Sequence, residues 1–169
     1  GGFRNIERDL TTNNGPAPPV NVAEMSFTGF DLARIAPLMG RRLLAGDEPV
    51  GAPPVVVIGY DAWRSTFAAD PDIIGKQVQL DGIFHTIVGV MPEGFAFPLN
   101  HQFWTSLKPN PLDRIVVFGR LAPGVTLASA QAEVGTMALS DSSAVTNTGL
   151  PLRPRVVPYV IGIVGDSTV

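Results

Sequence analysis

An Asp81-Gly82 pair stands between two β-prone runs, Gln77 to Leu80 and Ile83 to Met91, and no other stretch narrows the fold as much. Asp-Gly favours the tight turn in which both central residues take positive φ, and that turn matches the twist of two antiparallel strands. The spacing therefore predicts a β-hairpin. A second hairpin is expected from Phe3 to Thr12 and Pro19 to Met25, joined by Asn13-Asn14-Gly15-Pro16, residues that accept or enforce turn geometry. In its second arm Val20, Val22 and Glu24 share one face and Asn21, Ala23 and Met25 the other, a weak alternation that suits a strand covered on both sides.

Between and beyond the hairpins the pattern alternates. Ser26 offers an N-cap to a helix carrying Phe27, Phe30, Leu32, Ala33 and Ile35, which Pro37 ends. Val55-Val56-Val57-Ile58 reads as a strand buried on both faces. Asp61 can cap a helix with Trp63 and Phe67 at i and i+4, stopped by Asp70-Pro71. Phe103 to Leu107 and Arg114 to Leu121 read as strands, and Thr126 caps a helix over Leu127 to Leu139 with Leu127, Ala130, Val134 and Met137 on one stripe. Ser140 to Gly149, small and polar, is expected to be mobile; Arg153 to Tyr159, broken by Pro154 and Pro158, is expected at a sheet edge. Gly/Pro-rich stretches at Gly40 to Pro54 and Lys108 to Asp113 mark two boundaries.

Composition removes several classes of function. The 18 glycines and 16 prolines make about a fifth of the chain, short of low complexity, and the 45% apolar fraction with mean hydropathy +0.23 fits a folded chain. A net charge of −3 leaves no electrostatic footprint for nucleic acid or an anionic membrane. There are no cysteines, which excludes disulfides, thiolate metal sites and a cysteine nucleophile. No apolar run approaches the roughly 18 residues that span a bilayer. The start at Gly1-Gly2 shows no signal peptide and reads as an excised piece.

Motif chemistry is sparse. A P-loop, a GxGxxG fingerprint, a GxSxG elbow and an HExxH helix are missing, so no metal or nucleotide is expected. His85 and His101 have no partner pattern for zinc and read as structural or solvent-facing, alternation turning His85 outward. Asp47, Glu48, Asp61, Asp70, Asp72, Asp81 and Glu93 sit beside Pro or Gly or at helix starts, where capping and turn stabilisation explain them. Arg41-Arg42 reads as a solvated patch, and Trp63, Trp104 and the nine Phe as core. The competing reading is a small-molecule-binding or hydrolytic domain built from these carboxylates and aromatics around His85.

Taken in order, Pro37-Leu38-Met39-Gly40-Arg41, Pro53-Pro54 through Trp63, Phe67-Ala68-Ala69-Asp70-Pro71, Ile74-Gly75-Lys76, Val88-Gly89-Val90-Met91-Pro92-Glu93-Gly94-Phe95-Ala96-Phe97-Pro98 and Arg120 to Leu127 with Ala130-Gln131-Ala132-Glu133 carry a resemblance. From about Arg4 to about Val160 the chain resembles the periplasmic core domain of MacB/FtsX-type ABC-transporter permeases, most closely the acidobacterial duplicated orphan permeases. The resemblance implies an α+β fold: a porter-like two-layer βα domain, N-terminally incomplete, over 1–45 and 112–169, interrupted by an inserted Sabre-like module over 46–111. The flanking parts are expected to pack together, with the two boundaries as paired joints.

The resemblance also implies a non-enzymatic, extracytoplasmic domain of an inner-membrane permease, which transmits conformational change and contacts partner or cargo in transport or efflux. It implies no catalytic residue, no cofactor-binding residue, no metal ligand and no cofactor. The implied partner is the membrane-embedded remainder of the same permease, with a second permease copy, an ATPase subunit or a periplasmic adaptor protein as further candidates, and no nucleic acid.

Overall fold

The structure, a computed structural model, describes residues 1–13, 15–108, 110, 114–140 and 153–159. Both expected hairpins form. Strands β1 (Gly2–Thr12) and β2 (Gly15–Met25) pair antiparallel, as do β5 (Gln77–Leu80) and β6 (Ile83–Val90). Asp81 and Gly82 take φ of 50° and 76°, the two positive values that the turn requires. The remaining strands are β3 (Met39–Gly40), β4 (Val55–Ile58), β7 (Phe103–Ser106) and β8 (Val116–Val117).

The pairings close on themselves. β1 bonds β2, β2 runs parallel to β7, β7 antiparallel to β4, β4 parallel to β6, and β5 returns from β6 to β1. All six strands of this ring feed one cluster: Leu10, Val22, Phe103, Val56 and Ile58, Ile87, Val78 and Leu80. Residues drawn from every strand meet only if they fill the inside of the ring, as in small barrels packed with side chains. Val55 and Val57 face the other way, into a second cluster with Ala23, Met25, Phe30, Met91, Phe95 and Trp104. The strand read as buried on both faces is so because it divides the two cores.

Helix α1 (Phe27–Ala33) covers the second core through Phe30. It ends earlier than the proline suggests, at Arg34 with φ of 56°, which leaves Ile35 exposed. Ser26 occupies the N-cap, but its hydroxyl accepts from Gly2 N, and the Phe27 amide donates instead to Glu48 Oε1 at 2.8 Å. Helix α2 (Tyr60–Ser65) is capped by Gly59, not Asp61, and stops before Phe67. Ala68 and Ala69, both at φ of 53°, turn the chain so that Phe67 still packs beside Trp63 on the first core.

Compact units divide between Phe118 and Gly119. Set beside the expected division into 1–45 with 112–169 around 46–111, β1 pairs with β8 beyond the second boundary, and β1 and β2 also join β5 and β7 within the sheet. The composition boundaries are not loose where they are described. Arg41 grips Asp47 at 2.7 and 3.0 Å, and Lys108 Nζ donates to the carbonyls of Asp47 and Pro49 at 2.8 and 2.9 Å, which pins one boundary to the other. The strand expected over Arg114 to Leu121 shrinks to β8, because it pairs only with Gly2 and Phe3.

The second unit holds α3 (Leu127–Ser140), opened as expected by Thr126, whose hydroxyl accepts from Ser129 N while Ser129 Oγ accepts from Thr126 N. Residues 153–159 form no strand. The Gln131 side-chain amide on α3 stands in place of the expected neighbouring strand, donating to Pro154 O at 2.8 Å and accepting from Val156 N at 2.7 Å. The loop expected to be mobile lies, past Ser140, outside the described residues.

Candidate functional site

Charge gathers where β1 and β2 face each other. On β1, Arg4, Ile6, Arg8 and Leu10 alternate with exposed Asn5, Glu7 and Asp9, so both arginines share the face of the ring's core. Opposite them stands Glu24, only 8% exposed. A buried carboxylate is costly unless paired and hydrogen-bonded. Arg4 Nε donates to its Oε2 at 2.5 Å and Arg8 Nη2 to its Oε1 at 2.8 Å, so both oxygens are satisfied. Arg8 Nη1 reaches on to Asp81 Oδ2 at 2.6 Å. Burial pulls the Arg8 guanidinium down, but its bonds to Asp81 and Glu24 outweigh that and hold it above the ordinary value.

Next to this cluster is a pocket of about 200 Å³, lined among others by Arg8, Glu24, Leu80, His85, Thr105 and Lys108. His85 is therefore half-buried toward the ring, not turned outward. Its Nδ1 lies 2.9 Å from the Ile83 carbonyl, which can only accept, so Nδ1 carries the proton. Desolvation lowers its pKa; the Ile83 bond and Glu24 oppose this, and Arg8 adds to it. The pocket falls below the roughly 300–1,000 Å³ of small-molecule sites, and its charged side chains already have partners: Arg8 and Glu24 each other, Asp47 Arg41, and Lys108 two backbone carbonyls.

The other residues singled out from sequence are scattered and structural. His101 is buried at 2% exposure, its Nε2 3.0 Å from Asn5 Oδ1, and desolvation lowers its pKa. Asp47 accepts from Arg41 and from Leu44 N; burial pushes its pKa up, but these bonds and nearby Lys108 bring it below the usual carboxylate value. Asp70 is bonded to Lys76 and to Asp72 N, and Asp61 sits in the first turn of α2. Arg41 and Arg42 are not a free solvated patch: Arg41 holds Asp47, and Arg42 reaches Phe30 O and Asp31. Trp104 and Trp63 are core residues whose indole N–H groups find the Phe97 and Asp70 carbonyls. Among the described residues no group of three or more His, Asp or Glu could hold a metal ion.

Sequence reading missed the Arg4, Arg8 and Glu24 cluster. The sequence holds the parts, two arginines four apart on one strand and a lone acid near the end of the next, but only the hairpin register brings them together.

Fold and site thus define an α+β domain of ringed strands whose one buried glutamate is spent on two arginines. The family model of the MacB-like periplasmic core domain matches residues 4–137, and the chain belongs to that family, the periplasmic domains of ABC-type transporter permeases. The fold is similar to that of the periplasmic region of MacB from Actinobacillus actinomycetemcomitans, with a TM-score of 0.64 at 18% identity, covering 83% of this chain and 66% of that one. A domain of a permease protein from Porphyromonas gingivalis gives 0.62 at 16% identity over 94% of this chain and 75% of that one. The extracellular domain of the noncanonic ABC-type transporter YknZ from Gram-positive bacteria gives 0.52 at 15% over 63% and 52%. The chain therefore spans just under two thirds of the MacB periplasmic region. No curated protein matches it significantly. No described helix is long and apolar enough to cross a membrane.

Proposed function

We propose that this chain is a non-enzymatic domain on the periplasmic side of an ABC-type permease, which transmits conformational change and offers a surface to partner or cargo. The observation that carries the reading is the family match over residues 4–137. Two features of the site support it: the pocket beside His85 is small, and its carboxylate is bound by two arginines. An acid or base so engaged is poorly placed to exchange protons with a substrate. The membrane-embedded remainder of the same permease is the first partner. A second permease copy, an ATPase subunit and a periplasmic adaptor protein are further candidates, and the acidobacterial orphan permeases are the proposed branch. The proposed layout is porter-like over 1–45 and 112–169 around a Sabre-like module over 46–111, with β1 bonded to β8 of the flanking part and to β5 of the module.

The test uses the absence of cysteines from this chain. Val50, 86% exposed, is replaced by cysteine in the parent permease in whole cells and treated with a membrane-impermeant maleimide. Labelling without opening the inner membrane, at a rate that changes on ATP depletion, is expected. Labelling only after lysis overturns the location, and a rate indifferent to ATP overturns the transmission of motion.

A further inference from the structure

The seams of the ring are unequal. β1 and β2 share nine register pairs, β2–β7, β4–β6 and β5–β6 four each, and β4–β7 three, buried between the two cores, whereas β1 meets β5 only at Leu10↔Leu80 and Thr11↔Gln79. The same edge of β1 is given over to β8 at Gly2 and Phe3. What lengthens the β1–β5 seam is a single residue at the tip of the next turn. Asp81 N donates to Asp9 O at 2.9 Å, Asp81 Oδ1 accepts from Asp9 N at 2.8 Å, and Asp81 Oδ2 accepts from Arg8 at 2.6 Å.

Asp9 turns both its N–H and its C=O to that partner, on the edge of β1 away from β2. The register of the first hairpin slips between Arg8 and Leu10, where β2 presents Pro18-Pro19. Proline has no N–H to give, so the carbonyls that β1 turns toward β2 there find fewer donors, and the first hairpin is weakest beside the same short seam. Asp81 itself stands in an exposed turn, and its ion pair with Arg8 is open to water, where such pairs hold weakly. Short ladders closed by solvent-exposed bonds are the first to open.

We propose that the β1–β5 seam is where the ring opens, and that the Asp81 carboxylate is its clasp. Opening there separates Leu10 from Leu80 and widens the side of the pocket formed by Arg8, Leu80 and His85, while the β4 and β7 strands between the two cores stay paired. The device is local to the ring and independent of how the parent protein is powered.

Native-state amide exchange on the 169-residue chain tests it. The Asp9 and Asp81 amides are expected to exchange through an opening insensitive to low urea, while the amides of β4 and β7 exchange only with global unfolding. D81N keeps an acceptor for Asp9 N but turns a donor toward Arg8; it is expected to speed exchange at Asp9 and Asp81 several-fold, leaving β4 and β7 unchanged. As a second arm, Thr11→Cys with Gln79→Cys places two thiols at directly paired positions, within disulfide reach for an antiparallel pair. Its oxidised form is expected to exchange at Asp9 and Asp81 more slowly than its reduced form. The proposal is overturned if the seam amides follow global unfolding in the unsubstituted chain, if D81N speeds all strands alike, or if the disulfide leaves the seam unchanged.

Discussion

Arg4 and Glu24 stand directly opposite each other in the β1–β2 ladder, and their side chains meet at 2.5 Å on the face that lines the ring. With Arg8 on the other carboxylate oxygen, one acid bridges two guanidinium groups that water reaches only in part, and Arg8 holds Asp81 besides.

Glu24→Gln is therefore expected to destabilise the domain by about 2 kcal/mol, since it removes the carboxylate that two neighbouring guanidinium groups share, while Arg8 keeps Asp81. Arg4→Gln should cost less, because Arg8 remains on Glu24. Urea unfolding at neutral pH checks the order; equal, negligible losses would mean that the cluster is too well solvated to matter.

Gly89 lies where the chain crosses β6: a Cβ there would stand 2.1 Å from Arg41 O, a backbone atom that β3 holds in place. Gly89→Ala is expected to cost about 3 kcal/mol or to prevent folding, as overpacking against backbone does. Gly135 in α3 has nothing within 4 Å of its Cβ position, so Gly135→Ala should stabilise that helix by about 1 kcal/mol. Thermal melts and helix ellipticity of the two variants should move in opposite directions.

Ala68 carries a left-handed φ that side chains pay roughly 1 kcal/mol to adopt. Ala68→Gly is expected to raise stability by about 0.5 kcal/mol, the relief less the added freedom of the unfolded chain. A drop in melting temperature would show that the methyl group is packed more usefully than its exposure suggests.

His101 is kept neutral by burial, so its folded pKa lies below the ordinary 6.5. The unfolded chain then takes up a proton more readily than the folded one, and stability that is complete above 6.5 falls as the pH drops through and below that value. His85 acts with the same sign. The carboxylates Asp47 and Asp81, whose folded values are depressed below 3.8, contribute nothing to this slope until much lower pH. Urea unfolding at pH 7.5 and 5.5 should show the loss, and His101→Gln should flatten it; an unchanged slope would assign the effect to His85.

Local chemistry was legible and closure was not. Asp81-Gly82 announces its turn because two adjacent residues suffice to make it, and Val55 to Ile58 announces double burial by being apolar at every position. The pairing of β2 with β7 joins residues some eighty positions apart, and no periodicity carries such a contact. Phe67 was placed on α2 because i and i+4 match a helix; two left-handed alanines reach the same packing by another path. Arg153 to Tyr159 has strand-like composition, yet two of its backbone groups pair with a single glutamine side chain. The Glu24 cluster could be assembled only after the hairpin register was known, since a charged residue in a strand is equally at home in water.

The closed order of strands has a cost in time. Synthesis runs from the N-terminus, so β1 and β2 pair early and then wait, with Glu24 and both arginines already in place, until β5 and finally β7 have emerged. Throughout that wait the hairpin presents two unfinished edges to every other chain nearby. Pro16, Pro18 and Pro19 lie on the half of β2 that β7 never covers, and there they leave a stranger few amides with which to pair. What looks in the finished ring like an idle, proline-studded end is a guard for the unfinished one.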